Sequence, residues 1–454
     1  MELRGLKIID LLKLIEQKKI SSIEVFNYFL TRSKKYNKLL NAYVTLSQSG
    51  TNFPISFKDN FLTKGIRTTA SSNVLKDYIP PYNASVVDRL LDKNFSILGK
   101  TNMDAWAHGS STETSDFGPT KNPWDHKRSP GGSSGGAAAA VASYLSPVAI
   151  GSETAGSIRQ PASWSGVVGL KPTYGRVSRY GVVAMGSSLD SPGVLALSVE
   201  DCAYILKIIA GKDKYDATTS TEKVPNYLDL IKNNKKFNIG VSEEYLKDID
   251  PEVKTHFFKT IDIFKKLGHN IKKIKLLDPS KSIAVYTIIQ RAEVSSNLSR
   301  YDGLRYGNDR SFFAEEAKKR IILGTFTLSQ GYIDQYYKKA QQLRTVIMND
   351  FDKAFKEVDV ILAPTTPTTA FKLGEFEKYP FFGELMDKLN EPSSISGLPG
   401  ISIPIGLDKN KLPIGMQIIG KKFEESEILN LAYQFEKETD YFNITKELLK
   451  QYPD

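Results

Sequence analysis

Two serines and one lysine in this 454-residue chain could together cleave an amide or an ester. Ser133 and Ser157 lie in separate glycine-rich segments, and Lys58 ends a short apolar run that begins at Phe53. A serine hydroxyl attacks a carbonyl carbon only when a base takes its proton, and a desolvated lysine can act as that base. An ordinary lysine has a pKa of about 10.4 and a general base works best near 7, so burial must disfavour the charged form by roughly 4 kcal/mol. From the sequence context alone, Lys58 is equally well interpreted as an exposed lysine at the end of a strand.

Other catalytic chemistries have little support in the composition. The sequence has four histidines and one cysteine, and no cluster of them has the spacing of zinc ligands, so we predict no metal site. Cys202 lies at helical spacing with Val199, Leu206 and Ile209, which favours a core position over a nucleophilic one.

The first glycine-rich segment, residues 130–136, reads PGGSSGG and runs directly into the alanine-rich segment 137–142. Glycines that lead into a helix present free backbone N–H groups at its positive end, where negative charge is stabilised. A flexible linker is the alternative interpretation. The proline before this segment and the strong helix formers after it disfavour a linker.

Residues 131–135 also match the G-x-S-x-G motif of α/β hydrolases, which requires a preceding strand and a histidine base. The preceding segment 122–128 is not strand-like. The histidines further along the chain, His256 and His269, lie in a lysine-rich region that we predict to be solvated. The α/β-hydrolase mechanism is therefore disfavoured.

The second glycine-containing segment, residues 151–161, reads GSETAGSIRQP. The spacing from Gly151 to Gly156 resembles a phosphate-binding loop, but Ser157 stands where that loop needs its lysine. Without a cation there to contact the β- and γ-phosphates, we predict that this segment binds no nucleotide. The residues themselves therefore indicate a serine-rich site in which Lys58 is the candidate base.

These residues need a scaffold that brings distant segments together. Residues 5–40 predict two amphipathic helices, and a capping box at 21–24 opens the second. Short apolar runs at 95–99 and 358–364 predict buried strands. Further helical patterns lie at 137–144, 198–210, 251–267, 332–355 and 425–437. Interleaved strands and helices predict an α/β layered fold, with the polar residues 211–250 as a surface excursion.

The chain is positively charged but has no basic arm. Lysine and arginine total 61 and aspartate and glutamate 51, which gives a net charge of +10. Contact with RNA is one interpretation, but the lysines are spread along the chain in pairs, which favours a solvated surface. The charged segment 1–7 does not resemble a signal peptide, and no uncharged apolar run reaches the roughly 20 residues of a membrane span. We therefore expect a soluble, cytoplasmic protein that makes no contact with a membrane.

Four segments together resemble the amidase signature family, namely residues 58–60, 131–136, 151–161 and 169–172. The resemblance extends over residues 53–440. It implies an α/β amidase-signature fold in which helices cover both faces of a mixed central β-sheet. It also implies a single domain over residues 1–454, with N-terminal helices in 1–48 and the amidase core in 53–440.

The resemblance also assigns catalytic roles. It implies that Ser157 is the nucleophile, that Ser133 is a bridging serine after a cis peptide bond, and that Lys58 is the base. Ser157 follows Ser133 by 24 residues and Lys58 by 99 residues, as in the family's serine–cis-serine–lysine triad.

The same resemblance implies that the backbone N–H groups of Thr154, Ala155 and Gly156 form the oxyanion hole. Two features depart from the family. Ala155 stands where the family usually has a glycine, which narrows the conformations open to this turn. The segment 43–53 is also shorter than in the family, so we expect that a helix near the site is missing.

Within the family, four segments are similar to the glutaminase (A) subunits of tRNA-dependent amidotransferases, namely residues 170–181, 188–190, 295–303 and 320–326. The similarity implies that glutamine is hydrolysed through a seryl acyl-enzyme and that the ammonia passes to a B subunit, which phosphorylates and amidates a misacylated tRNA. ATP and Mg²⁺ are then expected in the B subunit, with no cofactor in this chain, while a small C subunit braces the pair.

In such a complex the tRNA would bind mainly through the B subunit. The sequence of this chain therefore leaves open whether the acceptor is Glu-tRNA(Gln) or Asp-tRNA(Asn). A free-standing amidase that hydrolyses small amides is the main alternative, and a non-catalytic binding protein is the third.

Glutamine carries an α-carboxylate and an α-ammonium group, so its site needs a cation and an anion. By resemblance, the substrate-binding positions are Tyr286, Arg320 and Asp387. The pair Lys318-Lys319 precedes Arg320, so a basic helix face is the alternative interpretation there. The segment 392–397, which follows Asp387, lacks the asparagine expected from the family.

Overall fold

The computed structural model of the chain describes residues 2–305, 307–378, 382–439 and 441–454. The strands within these residues are β1 Tyr43–Leu46, β2 Phe53–Lys58, β3 Phe95–Thr101, β4 Val148–Glu153, β5 Val168–Lys171, β6 Ser191–Ala196, β7 Asn238–Val241, β8 Asn270–Lys273, β9 Val360–Pro364, β10 Gly400–Leu407 and β11 Pro413–Gly420. They form one sheet of eleven strands in the order β1-β3-β2-β4-β6-β5-β10-β11-β9-β7-β8.

Helices pack around this sheet. The α-helices of the described residues are α1 Ile8–Glu16, α2 Ser22–Leu40, α3 Ser85–Leu91, α4 Gly135–Ala142, α5 Arg159–Ser165, α6 Val199–Ile209, α7 Tyr227–Leu230, α8 Pro251–Lys266, α9 Lys281–Leu298, α10 Glu315–Leu328, α11 Lys339–Ala354, α12 Phe382–Asp387, α13 Glu391–Ile395, α14 Glu425–Glu438 and α15 Tyr441–Leu449. A π-helix at Asp334–Lys338 leads directly into α11.

The sheet is mixed, as the sequence predicts. β2 pairs in parallel with β3 on one side and with β4 on the other, so the carboxyl ends of β2 and β4 lie at the same edge. From β4 to β9 the neighbouring strands are antiparallel. β7 is parallel to both β9 and β8. The shared edge of β2 and β4 brings Lys58 near the segment that carries Ser157.

The glycine- and alanine-rich helix α4 lies against this edge. All eight of its residues are buried, which only small side chains allow at such a close approach. A Cβ atom at Gly136 would overlap the carbonyl oxygens of Ala42 and Asn102, so glycine is required there. The first glycine-rich segment is therefore a tightly packed helix start, and the linker interpretation is wrong.

Most sequence-predicted elements are confirmed. The two N-terminal helices are α1 and α2, and both hydrogen bonds of the capping box between Ser21 and Glu24 are present. The runs at 95–99 and 358–364 form β3 and β9, and the patterns at 198–210, 251–267 and 425–437 form α6, α8 and α14. The pattern at 332–355 is divided between the π-helix and α11.

The prediction that residues 211–250 form a surface excursion is wrong for β7. This strand pairs with β8 and β9 inside the sheet, and its Ile239 is fully buried. Polar residues surround this short strand, and its apolar side chains are only two, Ile239, which is buried, and Val241, which packs partly buried against the core.

The prediction of a solvated His269 is also wrong. The ring of His269 is buried between Phe237 and Phe264, and its Nδ1 accepts a hydrogen bond from the backbone N–H of Phe237. The lysines at the end of α8 point to solvent, but the turn after them folds back onto β7.

Two long helices, α9 and α10, have no counterpart among the predicted elements. The buried residues of α9 include polar ones such as Gln290, Ser295 and Asn297, so an apolar stripe of helical period is missing. Residues 47–52, between β1 and β2, contain no helix. Among the described residues, none of the helices combines the length and the apolar character needed to span a bilayer, and no group of His, Cys, Asp and Glu could hold a metal ion.

Candidate active site

Lys58, at the carboxyl end of β2, is fully buried. Its Nζ donates hydrogen bonds to Oγ of Ser133 at 2.7 Å and to the carbonyl oxygen of Ser152 at 3.1 Å. Burial disfavours the charged ammonium and lowers the pKa of Lys58 to about 7, although the nearby carboxylates of Asp104 and Asp190 oppose the shift. Lys58 is therefore not an exposed lysine, and its pKa lies in the range that a general base needs.

Ser133 lies two residues before Gly135, the first residue of α4, and the peptide bond between Gly132 and Ser133 is cis. The side chain of Gln160 accepts a hydrogen bond from the N–H of Gly132 at 2.9 Å, and the carbonyl of Ser133 accepts one from the N–H of Asp104 at 3.3 Å. Backbone contacts on both sides therefore hold the Ser133 hydroxyl against Lys58.

Ser157 lies in the turn between β4 and α5, and Glu153 fixes both ends of that turn. One carboxylate oxygen of Glu153 accepts the N–H groups of Ile158 at 2.9 Å and Arg159 at 3.0 Å. The other forms an ion pair with the guanidinium group of Arg159 at 2.6 Å, and both side chains are fully buried. Removal of one partner from a buried ion pair typically costs about 3–5 kcal/mol, so this pair stabilises the turn strongly.

The turn with Ser157 contacts the first glycine-rich segment directly. The backbone N–H of Ser134 donates to the carbonyl oxygen of Ser157 at 3.1 Å. Ser157 is 4% exposed, and its side chain lines a cavity. Within the described residues its hydroxyl makes no hydrogen bond, so the contact between Ser133 and Ser157 hydroxyls that a proton relay needs is not formed in this structure.

The backbone of residues 154–156 offers hydrogen-bond donors beside Ser157. Their N–H groups donate to no other group of the described residues. Neither Ala155 nor Gly156 has a positive φ, so the alanine at 155 fits this turn without backbone strain. Glycine is nevertheless required at 156, because a Cβ atom there would overlap Oδ1 of Asp387. The hydroxyl of Thr154 donates to Asp190 at 2.8 Å, and burial raises the pKa of this carboxyl to about 6.

A cavity of about 890 Å³ opens at Ser157. All three sequence-predicted substrate-binding residues line it, although they come from three helices, with Tyr286 on α9, Arg320 on α10 and Asp387 on α12. The structure thus brings these residues to the same cavity as the candidate nucleophile.

Arg320 is buried on the inner side of α10 and does not belong to a solvated basic face. Its Nε donates to Glu316 at 2.6 Å, one turn earlier on the same helix. A second ion pair lies beside it, between Arg291 and Glu384 at 2.9 Å. Two guanidinium groups therefore reach the cavity wall, each beside one carboxylate.

Asp387 is an acidic residue of the cavity lining that faces the turn with Ser157, because its Oδ1 lies against Gly156. Its Oδ2 accepts a hydrogen bond from the hydroxyl of Ser110 at 2.7 Å, whereas its Oδ1 is buried and has no partner. Burial raises the pKa of Asp387 well above its ordinary value. A cation that enters the cavity would supply the missing partner and favour the ionised carboxylate.

Several positioning residues were not recognised in the sequence. Arg159 reaches beyond Glu153 to Gln417 on β11 and Ser394 on α13, and thereby ties the turn to the sheet and to a distant helix. Gln160 joins the two glycine-rich segments through its contact with Gly132. The signal that could have revealed them is the acid–base pair, six residues apart, that flanks Ser157.

Comparisons with known proteins agree with this geometry. The family model described as Amidase matches residues 51–429 of the chain. This chain belongs to the amidase signature family. It is therefore an enzyme of the amidase and amidotransferase class, as the resemblance implies.

Individual relatives narrow the comparison. The chain is 47% identical to the A subunit of a glutamyl-tRNA(Gln) amidotransferase from Caldanaerobacter subterraneus, over 96% of this chain and 97% of the relative. The crystal structure of the protein of the same name from Thermotoga maritima is 39% identical, with a TM-score of 0.86 and 97% of both chains covered. A 6-aminohexanoate cyclic dimer hydrolase has a TM-score of 0.89 at 26% identity, over 98% of this chain and 99% of the hydrolase. The same fold thus occurs in proteins named for different reactions.

Proposed function

We propose that this chain is the glutaminase subunit of a tRNA-dependent amidotransferase. It hydrolyses glutamine through a seryl acyl-enzyme and supplies the ammonia that converts Glu-tRNA(Gln) to Gln-tRNA(Gln). The observation that carries the proposal is the contact between Lys58, whose pKa is about 7, and Ser133, beside a cavity that also holds Ser157, Arg320 and Asp387. The candidate nucleophile Ser157 and a site for a zwitterion share one cavity.

Acylation begins with neutral Lys58. Lys58 takes the proton of Ser133, and Ser133 takes the proton of Ser157 as the oxygen of Ser157 attacks the γ-carboxamide carbon of glutamine. This relay requires that the Ser157 hydroxyl come into hydrogen-bond contact with Ser133, a step that we assign to binding of the substrate. The negative charge on the carbonyl oxygen is stabilised by the N–H groups of residues 154–156, and one such donor is typically worth about 3–4 kcal/mol.

Ammonia leaves when the proton returns. The ammonium of Lys58 passes a proton through Ser133 to the amide nitrogen, the C–N bond breaks, and a γ-glutamyl ester on Ser157 remains. Water then attacks this ester with the same base, and glutamate leaves while the three side chains return to their first protonation states. In these steps Ser157 supplies the nucleophile and Lys58 with Ser133 moves the protons, so they use no cofactor from this chain.

Recognition of glutamine uses the opposite wall of the cavity. Arg320 binds the α-carboxylate, Asp387 binds the α-ammonium group through its free Oδ1, and Tyr286 packs against the substrate between them. This proposal is supported by the burial of these groups and by the unpartnered Oδ1 of Asp387, because buried polar atoms are rarely left unpaired.

The synthetic half of the reaction belongs to partners. The named relatives are A subunits, which supports a multi-subunit enzyme. We propose that a B subunit holds ATP and Mg²⁺, activates the misacylated tRNA and receives the ammonia, and that a C subunit braces the pair. The loop at residues 151–156, which lacks the lysine of a phosphate-binding loop, agrees with this division.

The second candidate function is that of a free-standing amidase. The fold shared with the cyclic dimer hydrolase supports this candidate. The two candidates differ in the substrate that they need. A small neutral amide has no use for a buried cation and a buried anion in the same cavity, whereas an amino acid such as glutamine needs both.

The deciding experiment uses the complex of this chain with the B and C subunits of its own source. With Ser157→Ala, glutamine should no longer support formation of Gln-tRNA, and no acyl-enzyme should form. Ammonium chloride with ATP should still support it at the wild-type rate, because free ammonia bypasses the acyl-enzyme. Ser165→Ala, a buried serine on α5 outside the cavity, is the matched control and should keep glutamine-dependent activity.

A Ser157→Ala complex that retains glutamine-dependent activity would refute the nucleophile assignment. A chain that binds neither subunit and yet hydrolyses small amides would instead establish the free-standing amidase.

A further inference from the structure

Five exposed apolar side chains form a continuous group on α10 and on the turn and π-helix that follow it. We call this group the apolar ridge; its members are Ile322, Leu323, Phe326, Tyr332 and Tyr336, with exposed fractions of 67%, 48%, 47%, 40% and 40%. The ring centroids of Phe326 and Tyr332 are 4.2 Å apart, and those of Tyr332 and Tyr336 are 6.0 Å apart. Ile322 and Leu323 precede Phe326 by one helical turn, so they lie on the same face.

The exposure of the ridge is not the result of a misoriented α10. The opposite face of α10 buries Ala317, Gly324 and Thr327. A Cβ atom at Gly324 would overlap the carbonyl oxygen of Arg291 on α9, so the two helices touch backbone to backbone. Since α10 is fixed by this contact, the ridge is presented to the outside. Contiguous apolar surface of this kind usually marks an interaction site.

The ridge begins where the cavity ends. Glu316, Lys319 and Arg320, in the first half of α10, line the cavity that contains Ser157. Ile322 and Leu323 follow Lys319 by three and four residues, which makes them its neighbours on the helix surface. A protein that covers the ridge therefore lies beside the cavity.

We propose that the apolar ridge docks the partner subunit that receives the ammonia released at Ser157. The inference rests on the proposed function, because its partner is the subunit to which this chain would hand ammonia. Ammonia that escaped into bulk water would be diluted before it reached a second site. A receiver seated on the ridge would enclose it at its source.

The charges beside the ridge indicate the chemistry of the partner surface. Lys318 pairs with Glu315, and Lys338 pairs with Asp334. Lys319 and Lys339 have no ion-pair partner among the residues that the structure describes, so an excess of positive charge remains. The partner should therefore offer an apolar groove with an acidic rim, in which the aromatic side chains act as central anchors.

The test measures binding of the purified B and C subunits to this chain by isothermal titration calorimetry. Phe326→Ser and the double change Tyr332→Ser with Tyr336→Ser should each weaken binding at least about tenfold, since buried aromatic anchors dominate such interfaces. Phe258→Ser on α8 is the matched control, because Phe258 is 45% exposed and Phe326 is 47% exposed. This control should bind like the wild type, and equal thermal midpoints should confirm that all variants fold.

Three results would overturn the inference. If the ridge variants and the wild type bind the subunits equally, the docking surface lies elsewhere while the proposed function stands. If the wild type binds neither subunit, both the docking surface and the proposed function are refuted. If the isolated wild type sediments as a dimer and Phe326→Ser as a monomer, the occupant of the ridge is a second copy of this chain.

Discussion

The two sides of the cavity differ in how completely their buried charged side chains are paired. On the side formed by β2, β4 and α5, the amine of Lys58, the carboxylate of Glu153 and the guanidinium of Arg159 all have hydrogen-bond partners although they are buried. On the side formed by α9, α10 and α12, Oδ1 of Asp387 and two nitrogens of Arg291 are buried without a partner. A side that performs chemistry is held rigid by its own contacts, whereas a side that recognises a ligand keeps free contacts for it.

Replacement of the base should have the largest effect. Lys58→Met keeps the volume of the side chain but removes the amine, so glutamine hydrolysis should fall by at least about 10³-fold, because neither serine can then lose its proton. The Kd for glutamine should change less than about threefold. Stopped-flow or radiolabel assays of ammonia release, with equilibrium binding of glutamine, would measure both quantities.

Lys171 is the control for this change. It is also fully buried, and burial lowers its pKa to about 7, but it donates to the carbonyl oxygens of Pro172 and Leu398 and to no serine. Lys171→Met should lower the free energy of unfolding and leave kcat of the folded protein within about threefold. An equal loss of kcat in both variants would show that a hydrogen bond to Ser133 is not what distinguishes the base.

A change on the recognition side should affect binding rather than the chemical step. Asp387→Asn removes the charge that faces the α-ammonium group, so kcat/KM for glutamine should fall about 10- to 100-fold, mostly through KM, since a charge-assisted hydrogen bond is worth about 1.5–3 kcal/mol. Hydrolysis of butyramide, which has no ammonium group, should be unchanged. If kcat/KM fell equally for glutamine and butyramide, Asp387 would act in the chemical step and not in recognition of the ammonium group.

The pH dependence should show the smallest effect, about tenfold per pH unit. A protonated Lys58 cannot accept a proton, so kcat/KM should rise with pH up to about 7, the pKa of Lys58, and level off above it. Initial rates between pH 5.5 and 8.5 would define this limb. The residual activity of Lys58→Met should lack it, and a limb that persists in that variant would assign the titration to another group.

The sequence was most informative where function depends on short contiguous segments. The two glycine-rich segments and the run before Lys58 could be read directly, because a tight turn, a helix start and a buried strand each restrict the residues allowed there. Their meeting at one edge follows from the parallel pairing of β2 with β4, which the sequence does not encode locally. The single-domain organisation over residues 1–454 stays a prediction, as do the catalytic roles.

The recognition side was accessible only through the family resemblance. Tyr286, Arg320 and Asp387 lie on three different helices, 34 and 67 residues apart in sequence, and no periodic pattern connects them. The burial of Arg320 could not be derived from the two lysines before it, because only the close contact of α10 with α9 decides which side of the helix faces inward. The strand β7 was missed for a similar reason, since its neighbours in the sheet are remote in sequence.

The contact between Gly156 and Asp387 joins the two sides at a single point. Because no side chain fits between them, the proposed anchor of the α-ammonium group stands at a fixed separation from the serine at the next position. Under the proposed roles, this separation selects substrates by length. We therefore expect asparagine, whose amide is one methylene closer to its ammonium group, to be hydrolysed more slowly than glutamine.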